Sequence, residues 1–107
     1  MFGKIKKEYS KNGYAIIRNI IDANLILEVQ AHVNWLSKKY PELHPESFHH
    51  HLLVHDPFIH HLLNNKNLLD LVEQIIGPDI AVFGTHYIAK KPYDGKPVGW
   101  HQDGSYW

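Results

Sequence analysis

The chain contains no cysteine. That absence excludes disulfides, thiolate zinc sites, iron–sulfur clusters and a nucleophilic thiol. Any metal must therefore be held by nitrogen and oxygen donors. An excess of charge of either sign is also lacking. The 11 Lys and Arg residues balance the 11 Asp and Glu residues, giving zero net charge with histidines neutral. Such a chain carries no electrostatic footprint for nucleic acid and no polybasic patch for a membrane surface. Arginine is almost missing, Arg18 being the only one. No run approaches the roughly 18 apolar residues of a membrane span. The first residues, Met1-Phe2-Gly3-Lys4-Ile5-Lys6-Lys7-Glu8, lack the apolar core of a signal peptide. The expectation is a cytoplasmic protein without a nucleic-acid or membrane partner.

What is present is an ordinary globular composition with one bias. A length of 107 residues and 44% hydrophobic content suit one small domain. Ten histidines are many for that length. They make net charge sensitive to pH between about 5 and 7, where unperturbed imidazole titrates.

Residues 4–11 have the composition of a short polar helix closing at Asn12-Gly13, where glycine suits a left-handed cap. Tyr14 to Ile17 is a β-prone run. Asp22 is placed to cap a long helix whose apolar stripe is Leu25, Val29, Val33 (with His32 beside it), Leu36 and Tyr40. Pro41 stops it, and residues 41–55, with the run His49-His50-His51, read as a loop. Asp56-Pro57 resembles a helix start. A second stripe, Leu68, Val72, Ile75 and Ile76, ends at Gly77-Pro78. From Asp79 to Lys90 the sequence alternates like a strand, with Ile80, Val82, Gly84, His86 and Ile88 on one face and Ala81, Phe83, Thr85, Tyr87 and Ala89 on the other. A turn-rich connection, 91–97, leads to a further extended segment at Val98. Helices first and strands last predict α+β architecture, with a helical region over about 1–78 and β structure over about 79–107. So few strands make a poor stopping point for a sheet. A sheet incomplete at its C-terminus is expected, with self-association through exposed strand edges.

Chemistry concentrates in Trp100-His101-Gln102-Asp103-Gly104-Ser105-Tyr106-Trp107. On a strand, residues i and i+2 share a face, so the His101 imidazole and the Asp103 carboxylate can converge on one cation. They are two-thirds of the 2-His-1-carboxylate set that holds non-haem Fe(II) and leaves coordination positions open. The competing reading is a polar surface turn, Asp-Gly being a common turn pair.

The segment Gly99-Trp100-His101-Gln102-Asp103-Gly104-Ser105-Tyr106-Trp107 resembles the iron-binding segment of the phytanoyl-CoA dioxygenase family. Phe83 to Pro92 is similar to the strand that leads into it, Asn12 to Asp22 to the family's N-terminal strand, and Leu68 to Pro78 to its pre-barrel helix. The resemblance implies a double-stranded β-helix (a jelly roll, cupin-like) with helices packed outside it. It implies Fe(II), 2-oxoglutarate as co-substrate, and hydroxylation of a small-molecule C–H bond with release of succinate and carbon dioxide. It carries His101 and Asp103 over as metal ligands. It also suggests His86 and Trp107 as residues beside the co-substrate. The distal histidine ligand and the arginine that pairs with 2-oxoglutarate would lie downstream of this segment in the family. The expectation is therefore the N-terminal half of such a dioxygenase, inactive alone. The alternative is a small non-enzymatic interaction or metal-binding module.

Three further groups invite functional readings. His86 also fits a core or rim histidine. The cluster His49, His50, His51, His55, His60 and His61 suits adventitious metal binding better than a physiological site, because adjacent histidines in a loop seldom converge on one ion. Lys90 and Lys91 fit a solvated strand end, and become interesting only if the substrate is anionic.

Overall fold

The computed structural model describes residues 2–106, without the side chain of Phe2. Five helices form the body: α1 Phe2–Asn12, α2 Ala23–Lys39, α3 His50–Leu53, α4 Pro57–Leu63 and α5 Lys66–Ile76. Single 3-10 turns occupy Pro45–Ser47 and Asp103–Ser105. No helix among the described residues is long and apolar enough to cross a membrane.

The helix ends follow local chemistry. Asp22 Oδ1 accepts from the Leu25 N–H at 2.8 Å, satisfying one of the first-turn donors of α2. Asp56 does the same for Phe58 at 2.9 Å, with Pro57 at the first helical position of α4. Asn65 caps α5, and Gly77, at φ 90°, ends it in a conformation that side chains disfavour. The Asp22 cap, the Asp56-Pro57 start and the Gly77 stop all stand where the residue pattern puts them.

The loop expected over 41–55 is more ordered than its prolines suggest. It holds a 3-10 turn and α3, and it supplies half of the core. Leu36 of α2, Phe48, Leu53 of α3 and Ile59 of α4 are buried together, with Val33, Tyr40, Leu52, Leu63 and Tyr87 packed around them. Phe48 and Leu53 are fully shielded from solvent. α1 packs on α5, where Ile5 and Leu71 are buried.

The expected sheet is absent among the described residues, and with it the α+β jelly roll. Only one isolated antiparallel bridge, Phe48 to Tyr87, is present. The two-residue alternation is nevertheless real: Thr85, Tyr87 and Ala89 turn toward the helices while Gly84, His86, Ile88 and Lys90 face outward. Alternation specifies an extended chain with two faces, and only its 85–89 part shows an inner and an outer one here. A sheet also needs a second strand about 4.8 Å away to complete the hydrogen-bond ladder, and pairing of that kind is confined here to the Phe48 bridge. Tyr87 N–H donates to Phe48 O at 2.9 Å, and Ala89 N–H to Pro45 O at 3.4 Å. The extended segment is thus a strap laid over the 3-10 turn and the helical core. Val82, Ile88, Val98 and Trp100 on its outer side stand in solvent.

Candidate metal centre

Three side chains from distant parts of the chain pin this strap. His32, on the buried stripe of α2, faces the Tyr87 hydroxyl through Nδ1 at 3.1 Å and Asp56 Oδ2 through Nε2 at 2.9 Å. Burial, and secondarily the Asp56 charge, pushes the Tyr87 phenol up to about 12. The phenol therefore keeps its proton beside Nδ1, and the Asp56 carboxylate can only accept from Nε2–H. Every polar atom facing the ring is satisfied, and Phe58 packs on it at 4.5 Å between centroids. Sequence reasoning had His32 only as a neighbour of the apolar stripe and Asp56 only as a cap. The available signal was the spacing Leu25, Val29, His32, Leu36, which places the imidazole on the buried face.

The outward face of the strap forms one wall of an open cleft of about 1010 Å³. His49, His51, Phe83, His86, His101 and Asp103 line it. Residues near the middle of the chain and near its end therefore meet at one place. The His86 ring lies 4.3 Å from that of His49, and its Nε2 donates to Glu46 O at 3.1 Å. The Thr85 N–H donates to His50 Nδ1 at 3.3 Å, which leaves the proton of that ring on Nε2. His86 is thus a residue of the cleft wall, not of the core. Trp107, the other residue suggested beside a co-substrate, lies outside the described residues.

At the cleft mouth, His101 Nδ1 donates to Gly99 O at 2.8 Å, and His101 Nε2 lies 3.0 Å from Asp103 Oδ1. Tyr106 stands edge-on to the imidazole, with centroids 5.7 Å apart. The pair is not on a strand as expected. His101 is in extended chain, whereas Asp103 opens a 3-10 turn closed by Tyr106 N–H to Asp103 O at 2.9 Å. The turn reading holds, and the turn swings the carboxylate back onto the imidazole, where the two side chains bond to each other.

The donor set can be tested against a metal by distance. Two donor atoms each about 2.1 Å from an ion and at right angles to one another lie about 3.0 Å apart. The Nε2–Oδ1 separation is 3.0 Å. A carbonyl on Nδ1–H is also the usual outer partner of a ligating histidine, fixing the tautomer that offers Nε2. The same 3.0 Å is the length of the hydrogen bond and ion pair that Nε2 and Oδ1 make with each other, so an ion held by both would take the place of the proton between them. Among the described residues no three His, Asp or Glu side chains are gathered to hold a metal, and this includes the 49–51 histidine run. Arg18 is exposed and does not line the cleft.

The mouth of the cleft thus carries one imidazole nitrogen and one carboxylate oxygen side by side, the donor types that borderline metals accept. The sequence model of the phytanoyl-CoA dioxygenase family matches residues 9–107, and the chain belongs to that family. Proteins of this family generally use Fe(II) and 2-oxoglutarate. No curated protein and no solved structure matches the chain.

Proposed function

We propose that His101 and Asp103 are two of the three protein ligands of an Fe(II) site in a 2-oxoglutarate-dependent hydroxylase of small molecules. The observation that carries this reading is the 3.0 Å approach of His101 Nε2 to Asp103 Oδ1 at the mouth of the cleft, with Nδ1 tied to Gly99 O. The third ligand of such a site is a histidine outside this pair. When bound, Fe(II) and 2-oxoglutarate supply oxidising chemistry, in which dioxygen is consumed, 2-oxoglutarate becomes succinate and carbon dioxide, and a substrate C–H becomes C–OH. The protein's share is orientation. The Gly99 carbonyl keeps Nε2 of His101 as the coordinating nitrogen. The Asp103 carboxylate supplies the negative charge. His86, steadied by the Glu46 carbonyl, stands in the cleft wall beside the space left for a co-substrate.

An anaerobic Fe(II) titration, repeated with 2-oxoglutarate, tests this directly. One Fe(II) per chain is expected, and absence of saturable binding overturns the reading. A visible charge-transfer band on adding 2-oxoglutarate would support the co-substrate at the same ion. Fe(II) binding without that band leaves the metal reading standing and overturns the co-substrate reading for this chain.

Metal affinity is expected to depend steeply on pH. The hydrogen bond to Gly99 O, with a further push from Asp103, raises His101 above the ordinary imidazole value of 6.5. A raised value favours the imidazolium, which cannot ligate, so protons begin to displace the ion at higher pH than for a free histidine. The same shift adds folding stability that is present in acid and lost as pH rises through the raised value. Co(II) affinity measured from pH 8 to pH 5.5 is expected to fall about tenfold per pH unit below that value. A flat profile would remove His101 from the site.

A further inference from the structure

The strap's far end is held by a single buried carboxylate. Glu46, in the 3-10 turn, is buried, with 7% of its side chain exposed. Its Oε2 accepts from Lys90 Nζ at 2.9 Å. The Lys96 N–H reaches Oε1 at 3.2 Å and Oε2 at 3.3 Å. Lys90 Nζ also donates to Lys96 O. Lys96 is thus gripped by both of its backbone polar groups, one by Glu46 and the other by the lysine that Glu46 holds. The Glu46 backbone carbonyl meanwhile takes the His86 Nε2–H. One residue therefore touches the cleft wall and the root of the segment that ends in His101 and Asp103. His44 stands beside it, Nδ1 3.5 Å from Glu46 Oε1 without a hydrogen bond, and ties Asp94 of the same loop through Nε2 at 3.3 Å. The fit around the loop is close, since a Cβ at Gly95 would meet the Lys90 stem at 3.2 Å.

The arrangement has a mechanical consequence. Residues 91–103 are exposed throughout and have no ladder. Four residues lie between Lys96 and His101, and the five steps span up to about 17 Å in extended chain. An unanchored tether of that length samples many conformations, and each residue held in one backbone well costs about 1–2 kcal/mol of entropy. Two ligands that must face one ion within a few tenths of an ångström need that entropy removed before the ion arrives.

We propose that Glu46 is a positioning residue for the metal site: it holds the 90–96 loop to the helical body, and so limits where the His101–Asp103 pair can stand against the cleft wall. The proposal rests on the iron reading of those two residues. It also assigns Lys90, which looked like a solvated strand end, to the clamp and away from substrate.

The test compares the unaltered chain with Glu46→Gln and Lys90→Met. The first keeps the side chain's shape but sets an amide against the Lys90 ammonium. The second removes the ammonium from a half-exposed stem and leaves Glu46 in place. Two readouts are taken: amide hydrogen exchange at Lys96, and the visible spectrum and affinity of bound Co(II). Both variants are expected to speed exchange at Lys96 at least tenfold while amides of α2 keep their protection. Both are expected to weaken Co(II) about 10–100-fold, the range seen when an outer partner of a metal site is lost, and to change its ligand-field bands. Unchanged exchange at Lys96 in both variants overturns the clamp. Faster exchange with an unchanged Co(II) spectrum and affinity overturns the positioning role. If the unaltered chain binds no Co(II) through His101 and Asp103, the iron reading fails and takes the positioning role with it. In that case the exchange data still report separately on the clamp.

Discussion

Alanine at His101 or at Asp103 is expected to weaken Fe(II) or Co(II) binding by more than about 100-fold, beyond the loss caused by removing outer-shell partners alone. Each substitution removes one of the two donor atoms that stand 3.0 Å apart. It also leaves the other without the partner that defines the chelate. Both residues are exposed, so neither change should disturb the core. Isothermal titration at pH 8 checks the effect, with His51→Ala as control. His51 lines the same cleft, and its loss should leave affinity unchanged. A reversed outcome, with His51→Ala weak and His101→Ala tight, would shift metal binding to the histidine run and refute the site.

Truncation of Phe48 to alanine is expected to lower the thermal stability of the helical body sharply. Phe48 is the largest fully buried side chain, and it contacts elements from α2 to the strap. Phe→Ala in a packed core costs about 3–5 kcal/mol, against a total of about 5–15 kcal/mol for a typical domain. At about 4–8 °C per kcal/mol for a domain near this size, the melting midpoint should fall by at least about 12 °C. Thermal denaturation followed by circular dichroism reads this out. A fall of less than about 4 °C would show that Phe48 is not the centre of the core. Phe48 also organises the cleft, because its carbonyl accepts the Tyr87 N–H at 2.9 Å. Loss of the ring should therefore loosen the strap as well.

The two predictions differ in how visible their residues are along the chain. His101 and Asp103 are two apart, and their chemistry is legible as a pair before any folding is considered. Phe48 lies between His44-Pro45 and a histidine run, in a stretch whose composition suggests a loop. Its burial comes from α2, α3 and α4 closing over it, which no local pattern records. The buried triad is intermediate. His32 shares its spacing with the apolar stripe of α2, so its inward direction could be read. Its partners, Asp56 and Tyr87, are 24 and 55 residues away. Glu46 was invisible, because a glutamate beside a proline has no feature that marks it as the buried anchor of a loop 44–50 residues further on.

The sheet shows where reading a pattern stops. Alternation over 79–90 groups Thr85, Tyr87 and Ala89 on one face, and the structure turns that face inward over 85–89 while Ala81 and Phe83, grouped with them, stay exposed. Alternation does not assign a neighbour. Side-chain period is a property of one segment, whereas a β ladder is a property of two, and among the described residues the one bridge falls on Phe48, just after the 3-10 turn.

Helix starts and stops, the apolar stripes, the exclusion of thiolate chemistry and the His101–Asp103 pair were all determined by the sequence. Each depends on interactions within a few residues, where capping, period and donor type decide the outcome. Only the tertiary structure decided that the middle of the chain supplies the core and that His49, His86 and His101 share a cleft. It alone placed His32 between a carboxylate and a phenol, and Glu46 at the root of the metal segment. Those facts depend on which surfaces meet, and burial of apolar area draws surfaces together without regard to their separation along the chain.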